Sequence, residues 1–482
     1  MNLNQIYNID ALEGLKQLDE NSIDAIISDP PYQLTSITKQ RTDQIAVNGN
    51  DDNGNQFCRP QAKAGFMNKE WDVLPSVEIL KECNRVLKTG SWALWLMTPR
   101  QDSQLEFLLR LRQAGFNIAF SSIEWVYLSG FPKAGNLSLL IDKRACKDNL
   151  IQRLNREPTT EEFKEAWNNW REITGHDKRR SSNYNDYDAY NTEWDKRDKP
   201  KHPDAQALNG SYAGMQLKPA REFIIVSQKA IAGKTYLDQA LLHLKEPEHN
   251  QLSGTWLEDV RIPYKNEKDR MEGQSERSQL TGRFPANIIV SDNALDIGVI
   301  KESSDKIRHN NQSEFSGKGI YGKYNSKDTQ GYDDSGDLSR YFDLDFWYEN
   351  KLKELPKEQQ RIFPFLYVPK TSENEKNKGL KHLPITLSIN GDKWTDMDRR
   401  EHNKPTPRQN VHPTVKPLKL INYLITLTTR ENDIVLDPFI GSGTTGISSI
   451  MLKRRFIGFE KEEDYYKIAT ERIKHYQKQR LL

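Results

Sequence analysis

Residues 23–28 read IDAIIS, an apolar run short enough for a buried strand, and the run stops at Asp29-Pro30-Pro31-Tyr32, where two prolines bar both strand and helix. A loop therefore begins at the carboxyl end of that strand. Residues 77–87 (VEILKECNRVL) carry apolar positions at helical spacing, Gly90 can end the helix, and 92–97 (WALWLM) form a second buried strand. Strand, helix and strand in succession imply parallel pairing.

From about 136 to 211 the periodicity fades. Trp167, Trp170, Tyr184, Tyr187, Tyr190 and Trp194 stand there among Lys178, Arg179, Arg180, Lys196 and Arg197. Residues 217–226 (LKPAREFIIV) recover a strand-like run, and a second polar stretch covers about 266–343, rich in Ser, Gly, Asn and Asp. Order returns in the last 75 residues: a helix is expected at 419–428, a strand at 434–436, a glycine-rich turn into a helix at 441–452, a strand at 455–459 and a helix at 464–476. No internal repeat or dominant low-complexity tract interrupts this plan.

In a chain of 482 residues this pattern leaves room for a catalytic core of about 200 to 250 residues and a large polar insertion. Apolar residues at 36% and charged residues at 29% suit that division. No apolar run approaches the roughly 18 residues of a membrane span, and residues 1–12 lack the features of a secretory leader. Cys58, Cys83 and Cys146 form no CxxC pair, so neither a zinc site nor a disulfide framework is expected. A reducing, intracellular, cytoplasmic setting fits. The net charge of +2 excludes a polycation that binds nucleic acid by bulk attraction, so contact with DNA must come from a local groove.

Candidate chemistry concentrates in two places. In Asp437-Pro438-Phe439-Ile440-Gly441-Ser442-Gly443-Thr444-Thr445-Gly446, a strand runs into closely spaced glycines and then a helix, so a ligand can approach bare backbone and unpaired N–H groups. Glu460, fourteen residues after Gly446 at the end of the next strand, is placed to accept from the two hydroxyls of a ribose. An adenosine-containing cofactor is implied, although the same glycines satisfy a dinucleotide fingerprint and a plain tight turn. Only 36 residues follow Gly446, too few for a complete doubly wound sheet. The flanking strands must come from the N-terminus, and the two halves form one permuted domain. The second place is Asp29-Pro30-Pro31-Tyr32, which in isolation also reads as a proline-rich turn.

These segments, with His412-Pro413-Thr414-Val415-Lys416-Pro417, resemble a beta-class DNA amino-methyltransferase of the bacterial or phage restriction-modification type. In that class the catalytic tetrapeptide precedes the recognition region and the cofactor glycines follow it. The resemblance implies an α/β, Rossmann-like S-adenosylmethionine-dependent methyltransferase fold, circularly permuted, with a mostly parallel sheet and a large inserted target-recognition region. It implies that Asp29, Pro30, Pro31 and Tyr32 are catalytic. Thr414 and Lys416 would hold the methionine end of the cofactor, Lys416 through a carboxylate; Phe439 and Gly441 would line it; Glu460 would bind its ribose; and Asp10 would contact its adenine. Asp10 also suits a helix N-cap. Ala11, Asp29, His412, Asp437, Pro438, Ser442, Gly443 and Thr444 complete the expected cofactor set, with His412 shaping its loop rather than acting as a base. No metal is expected. The segments 217–222 (LKPARE) and 282–287 (GRFPAN) are similar to stretches of site-specific members.

An exocyclic amino group is a poor nucleophile because its lone pair is delocalised into the ring. The Asp29 carboxylate and Pro30 carbonyl can polarise its N–H bonds, Pro31 can stiffen the turn, and Tyr32 can stack on a base flipped out of the duplex. The expected activity is methylation of adenine N6 in double-stranded DNA, with cytosine N4 as the alternative within the class. A nicotinamide-dependent oxidoreductase, a DNA-binding protein without catalysis, and an RNA or protein methyltransferase are the competing classes. A homodimer is left open. The expected division is 1–135 catalytic half, 136–211 insertion, 212–265 core strand and connection, 266–405 variable recognition region and 406–482 cofactor half. Target recognition is placed in 136–211 and 266–405, although 177–201 balances seven basic against six acidic residues, as a solvated surface would. Ala232-Gly233-Lys234-Thr235 lacks the earlier glycine of a phosphate loop and is not read as an ATP site.

Overall fold

In the computed structural model, the residues described are 1–33, 71–126, 135–172, 174–178, 193–196, 199–213, 221–264, 282–290, 301–302, 335–336, 343–353, 373–380, 386–388, 406–408, 410, 412 and 414–480. Two compact units emerge: 1–129 with 220–393 and 405–482, and a smaller one of 130–219 with 394–404.

The larger unit begins with β1 (Gln5–Tyr7), α1 (Ala11–Leu15) and β2 (Ile23–Ser28). It continues with α2 (Val77–Val86), β3 (Leu87–Met97), α3 (Gln101–Gln113), β4 (Phe116–Asn117) and β5 (Ile123–Val126). Strand β3 starts five residues before the apolar run at Trp92, directly where α2 ends. The smaller unit holds α4 (Leu137–Leu154), α5 (Thr160–Asn168), the hairpin β6 (Gly175–Lys178) and β7 (Glu193–Lys196), and α6 (Pro203–Ala207). Its centre is the fully buried Asp142, which accepts from Arg171 Nε at 2.7 Å and from the Lys201 and His202 amides at 3.0 and 2.8 Å. A buried carboxylate needs such compensation.

The chain then returns through β8 (Arg221–Lys229), α7 (Tyr236–Lys245) and β9 (Ile288–Val290). Short pairs β10 (Lys301–Glu302) with β11 (Ser335–Gly336), helices α8 (Leu344–Lys353) and α9 (Glu373–Asn377), and the pair β12 (Thr386–Ser388) with β13 (Thr406–Arg408) follow. The C-terminal part supplies α10 (Leu418–Thr428), β14 (Ile434–Asp437), α11 (Thr444–Met451), β15 (Arg455–Phe459) and α12 (Glu463–Arg480).

Among the described residues the main sheet has nine strands in the order β1-β15-β14-β2-β3-β8-β5-β9, with β4 beside β8. Strands β1, β15, β14, β2 and β3 are parallel; β8 is reversed between β3 and β5. The pairing of Val435 with Ala25 and of Leu436 with Ile26 joins the two ends of the chain into one α/β sheet, as the permuted reading requires. All of α10 is buried, its polar Lys419, Asn422, Thr426 and Thr428 included, so the helix is enclosed by the unit on every side.

Within 266–405, the expected recognition region, α8 packs into the core: Trp347 is buried, meets Tyr423 edge-on at 5.1 Å, and donates from Nε1 to the Asp259 carbonyl at 3.2 Å. Asp345 pairs with the buried Lys419, and Glu375 of α9 accepts from the Leu418 amide at 2.9 Å. The physical reason is that α10 is buried along its whole length: its apolar residues need covering and its buried Lys419 needs a carboxylate partner. At 232–235, Gln239 Oε1 accepts the Ala232 and Gly233 amides at 2.8 and 3.2 Å, while Thr235 and Asp238 form a capping box. Those amides are committed to a helix start, which agrees with the absence of a phosphate loop.

Candidate active site

Parallel strands send their carboxyl ends to one edge of a sheet, and four acids gather there. Asp10 follows β1, Glu460 follows β15, Asp437 ends β14 and Asp29 follows β2. Because β8 runs the other way, its first residues reach the same edge, and they include Glu222. From β14 the chain winds towards β15, and from β2 it winds towards β3, so the seam between β14 and β2 is the switch point where ligands of open α/β sheets bind. Ser28 Oγ crosses that seam and donates to Asp437 Oδ1 at 2.6 Å.

Asp437 also accepts from Thr445 Oγ1 at 2.7 Å and from the Phe439 amide at 3.1 Å, which ties the glycine loop to the strand. Burial raises its carboxyl to about 6 despite these donors. Gly441 and Gly443 adopt φ of 53° and 84°, and a Cβ on Gly441 would stand 2.6 Å from His412 Nε2. His412 Nδ1 accepts the Thr414 amide at 3.3 Å, and the ring meets Tyr465 edge-on at 4.6 Å. Burial, with Arg472 and Lys416 nearby, lowers its pKa to about 3, so the imidazole is a neutral wedge behind the loop. Gly441→Ala therefore combines left-handed backbone strain of about 1–2 kcal/mol with a clash against a confined ring. A fall in the urea unfolding midpoint is the expected outcome.

Pro438, Ser442, Gly443 and Thr444 are buried around this turn, and Arg472 of α12 donates from Nη1 to Ser442 Oγ at 2.9 Å and to the Ser442 carbonyl. Arg472 was not singled out in the sequence; a basic residue in a polar terminal helix carries no signal of burial. Glu460 Oε1 accepts the Glu462 amide at 2.8 Å, and burial raises its carboxyl to about 7. Asp10 Oδ1 caps α1 through the Leu12 amide at 2.9 Å, and Ala11 is the first residue of that helix.

The tetrapeptide forms the other side. Asp72, itself buried, accepts the amides of Tyr32 and Gln33 at 2.9 Å each and fixes the loop after Pro31. The Tyr32 hydroxyl donates to Asp29 Oδ1. Lys416 Nζ lies 3.2 Å from Asp29 Oδ2, 2.9 Å from Glu222 Oε2 and 3.0 Å from the Tyr32 hydroxyl. The family resemblance assigns Lys416 to a cofactor carboxylate; in the structure its ammonium lies between the Asp29 and Glu222 carboxylates. Burial, partly offset by Lys416 and reinforced by Glu222, raises Asp29 to about 6. Burial would depress Lys416, but Asp29, Glu222 and Tyr32 outweigh it and hold the ammonium well above its ordinary value. Thr414 is exposed, and Pro413 lies outside the described residues.

In the smaller unit, Trp167 is buried with Lys143 and Arg171 over its ring at 5.3 and 5.9 Å, and Lys201 lies 4.6 Å over Trp170. Trp167 is thus packed inside this unit. Tyr184, Tyr187, Tyr190, Arg179, Arg180 and Arg197 fall outside the described residues. Among the described residues, no group of three or more His, Cys, Asp or Glu could hold a metal, and no helix is long and apolar enough to cross a membrane.

A family model described as DNA methylase, of N6 and N4 type, matches residues 23–471. Type II methyltransferase M2.DpnII of Streptococcus pneumoniae is 52% identical over 62 residues, 13% of this chain and 23% of that protein. Type II methyltransferase M2.LlaDCHI of Lactococcus lactis subsp. cremoris is 43% identical over 82 residues, 17% of this chain and 29% of that protein. The alignments thus span less than a third of these relatives. Among solved structures, an M1.HpyAVI–SAM complex aligns over 97% of this chain and 98% of its own at 13% identity, with a TM-score of 0.31. The cytosine-N4-specific PvuII DNA methyltransferase aligns over 98% and 92% at 13% identity and 0.36.

Proposed function

Because the chain belongs to the N6/N4 DNA methylase family, we propose that it transfers a methyl group from S-adenosylmethionine to the exocyclic N6 of adenine in a flipped-out nucleotide of double-stranded DNA. The observation that carries this reading is the placement of Asp29 and Tyr32 across the β2–β14 seam from the Gly441-Ser442-Gly443 turn. The residues present fit the cofactor. Glu460 is a half-desolvated carboxylate suited to ribose hydroxyls, and Thr444 Oγ1 is buried at the turn without a protein partner. Asp10 and Ala11 would face its adenine, Phe439, Gly441, Ser442 and Gly443 would line it, and Thr414 would meet its methionine end. When bound, S-adenosylmethionine supplies an electrophilic sulfonium methyl group.

The chain's own residues prepare the nucleophile. Ionised Asp29, with the Pro30 carbonyl, accepts N–H bonds of the amino group and concentrates electron density on nitrogen. Pro31 and the Asp72 contacts hold that geometry before substrate arrives, and the Tyr32 ring offers a stacking face that offsets part of the few kcal/mol of base extrusion. The 130–219 unit is the proposed DNA-contact region, and a type II restriction-modification role follows the names of the relatives.

Labelled S-adenosylmethionine with mixed genomic DNA, digested to nucleosides, tests the reading. N6-methyl-2′-deoxyadenosine supports it. N4-methylcytosine replaces the base, and no transfer to any DNA overturns it. A pH prediction follows from Glu460. Ribose hydroxyls donate to its ionised form, so binding expels a proton below about pH 7. The cofactor Kd is expected to rise about tenfold from pH 8 to pH 6, and Glu460→Gln should flatten the dependence in calorimetric titrations.

A further inference from the structure

Lys416 is shared among three acceptors, and the one that the proposed chemistry leaves without a task is Glu222. It enters from β8, whose partner across the sheet is Trp125, while Asp29 enters from the β2 loop and Lys416 from the segment before α10. Lys416 Nζ is closer to Glu222, at 2.9 Å, than to Asp29, at 3.2 Å. Two carboxylates and one ammonium leave this cluster with a net negative charge. Asp29 is faced by Tyr32 on its own loop, Lys416 before α10, Glu222 on β8 and Asp437 on β14.

We propose that Glu222 is a positioning residue for methyl transfer: it draws the Lys416 ammonium away from Asp29, so that Asp29 stays an available acceptor for the target amino group rather than a locked partner of the lysine. This rests on the reading of Asp29 given above. A carboxylate beside a buried ammonium is less basic, because the positive charge favours its ionised form. By holding the lysine from the far side, Glu222 preserves basicity on Asp29 while Lys416 still limits repulsion between the two acids. The direct effect of Glu222 on Asp29 has the same sign, since it raises the Asp29 carboxyl. No covalent step passes through Glu222, and no proton needs to reach it.

The test is a double-mutant cycle on the full chain, with Glu222→Gln, Lys416→Met and the pair. One readout is the single-turnover rate on DNA as a function of pH. The other is the titration midpoint of Asp29 by carbon-13 NMR of aspartate-labelled protein, assigned with Asp29→Asn. In Glu222→Gln the Asp29 midpoint is expected to fall by about one pH unit, in line with an opposite charge drawn close. The rate plateau should fall about tenfold with the cofactor Kd unchanged. In the Lys416→Met background the shift caused by Glu222→Gln should shrink to less than half. An unmoved midpoint, an equal shift in both backgrounds, or loss of cofactor binding and cooperative melting in Glu222→Gln would each overturn the proposal. If the unaltered chain methylates no DNA, the proposed function fails, and the NMR midpoints still decide the role of Glu222.

Discussion

Asp29→Ala is expected to lower single-turnover methyl transfer by about a thousandfold while cofactor affinity stays within about threefold of the unaltered chain. Loss of one preorganised polar group at a reacting centre costs about 10²–10³ in rate, and here the lost group is the only ionised acceptor of the tetrapeptide. The fold should tolerate the change. Removing one partner of a buried ion pair is strongly destabilising when it strands a charge, but Lys416 keeps Glu222 at 2.9 Å and the Tyr32 hydroxyl at 3.0 Å. Cofactor binding should survive because the Gly441 turn is held by Asp437, His412 and Arg472. A rapid-quench measurement with labelled cofactor, paired with a cofactor titration of the same variant, separates the two effects. A loss under tenfold would remove Asp29 from the chemistry, and parallel loss of rate and binding would give it the cofactor contact that the family resemblance implies.

Much of this site is readable from the chain alone, for a physical reason. Strands β2 and β15 are mostly apolar stretches ended by a proline turn and by Glu460, so their bounds at 23–28 and 455–459 agree with the pattern. The count of residues after Gly446 forces the C-terminal strands to find partners at the N-terminus, and β14 does pair with β2. Glu222 was not legible as part of the site, although its segment resembled known methylases. It lies 194 residues from Lys416, and its sequence context, REFIIV, is that of an ordinary strand. Only the reversal of β8 brings it to the working edge, and strand direction inside a mixed sheet is not written in local periodicity. Asp10 shows the opposite ambiguity: one oxygen caps α1, as its residue type suggests, and its place beside Glu460 comes from the β1–β15 pairing. Lys416 illustrates a third limit, since a motif gives a residue type at a position while the partner of its charge depends on strands far away.

Trp347→Ala is expected to destabilise the larger unit by about 3–5 kcal/mol, the cost of emptying a large buried aromatic site. α8 stands in a polar stretch of sequence, yet Leu344, Trp347 and Tyr348 bury one side of it. Trp347 packs against Tyr423 and Tyr348, and its indole N–H is spent on the Asp259 carbonyl. Its neighbours Leu420, Ile421 and Leu424 belong to α10, the helix that follows Lys416. Losing the indole would therefore loosen the base of the segment that delivers Lys416 and His412 to the site. Urea unfolding should show the drop in stability, and the midpoint should recover partly in Trp347→Phe, which keeps the ring volume but not the N–H donor. Binding of DNA at temperatures where the variant remains folded should change little. If instead stability is unaltered and affinity for DNA falls, α8 acts in DNA recognition and Trp347 adds little to the core.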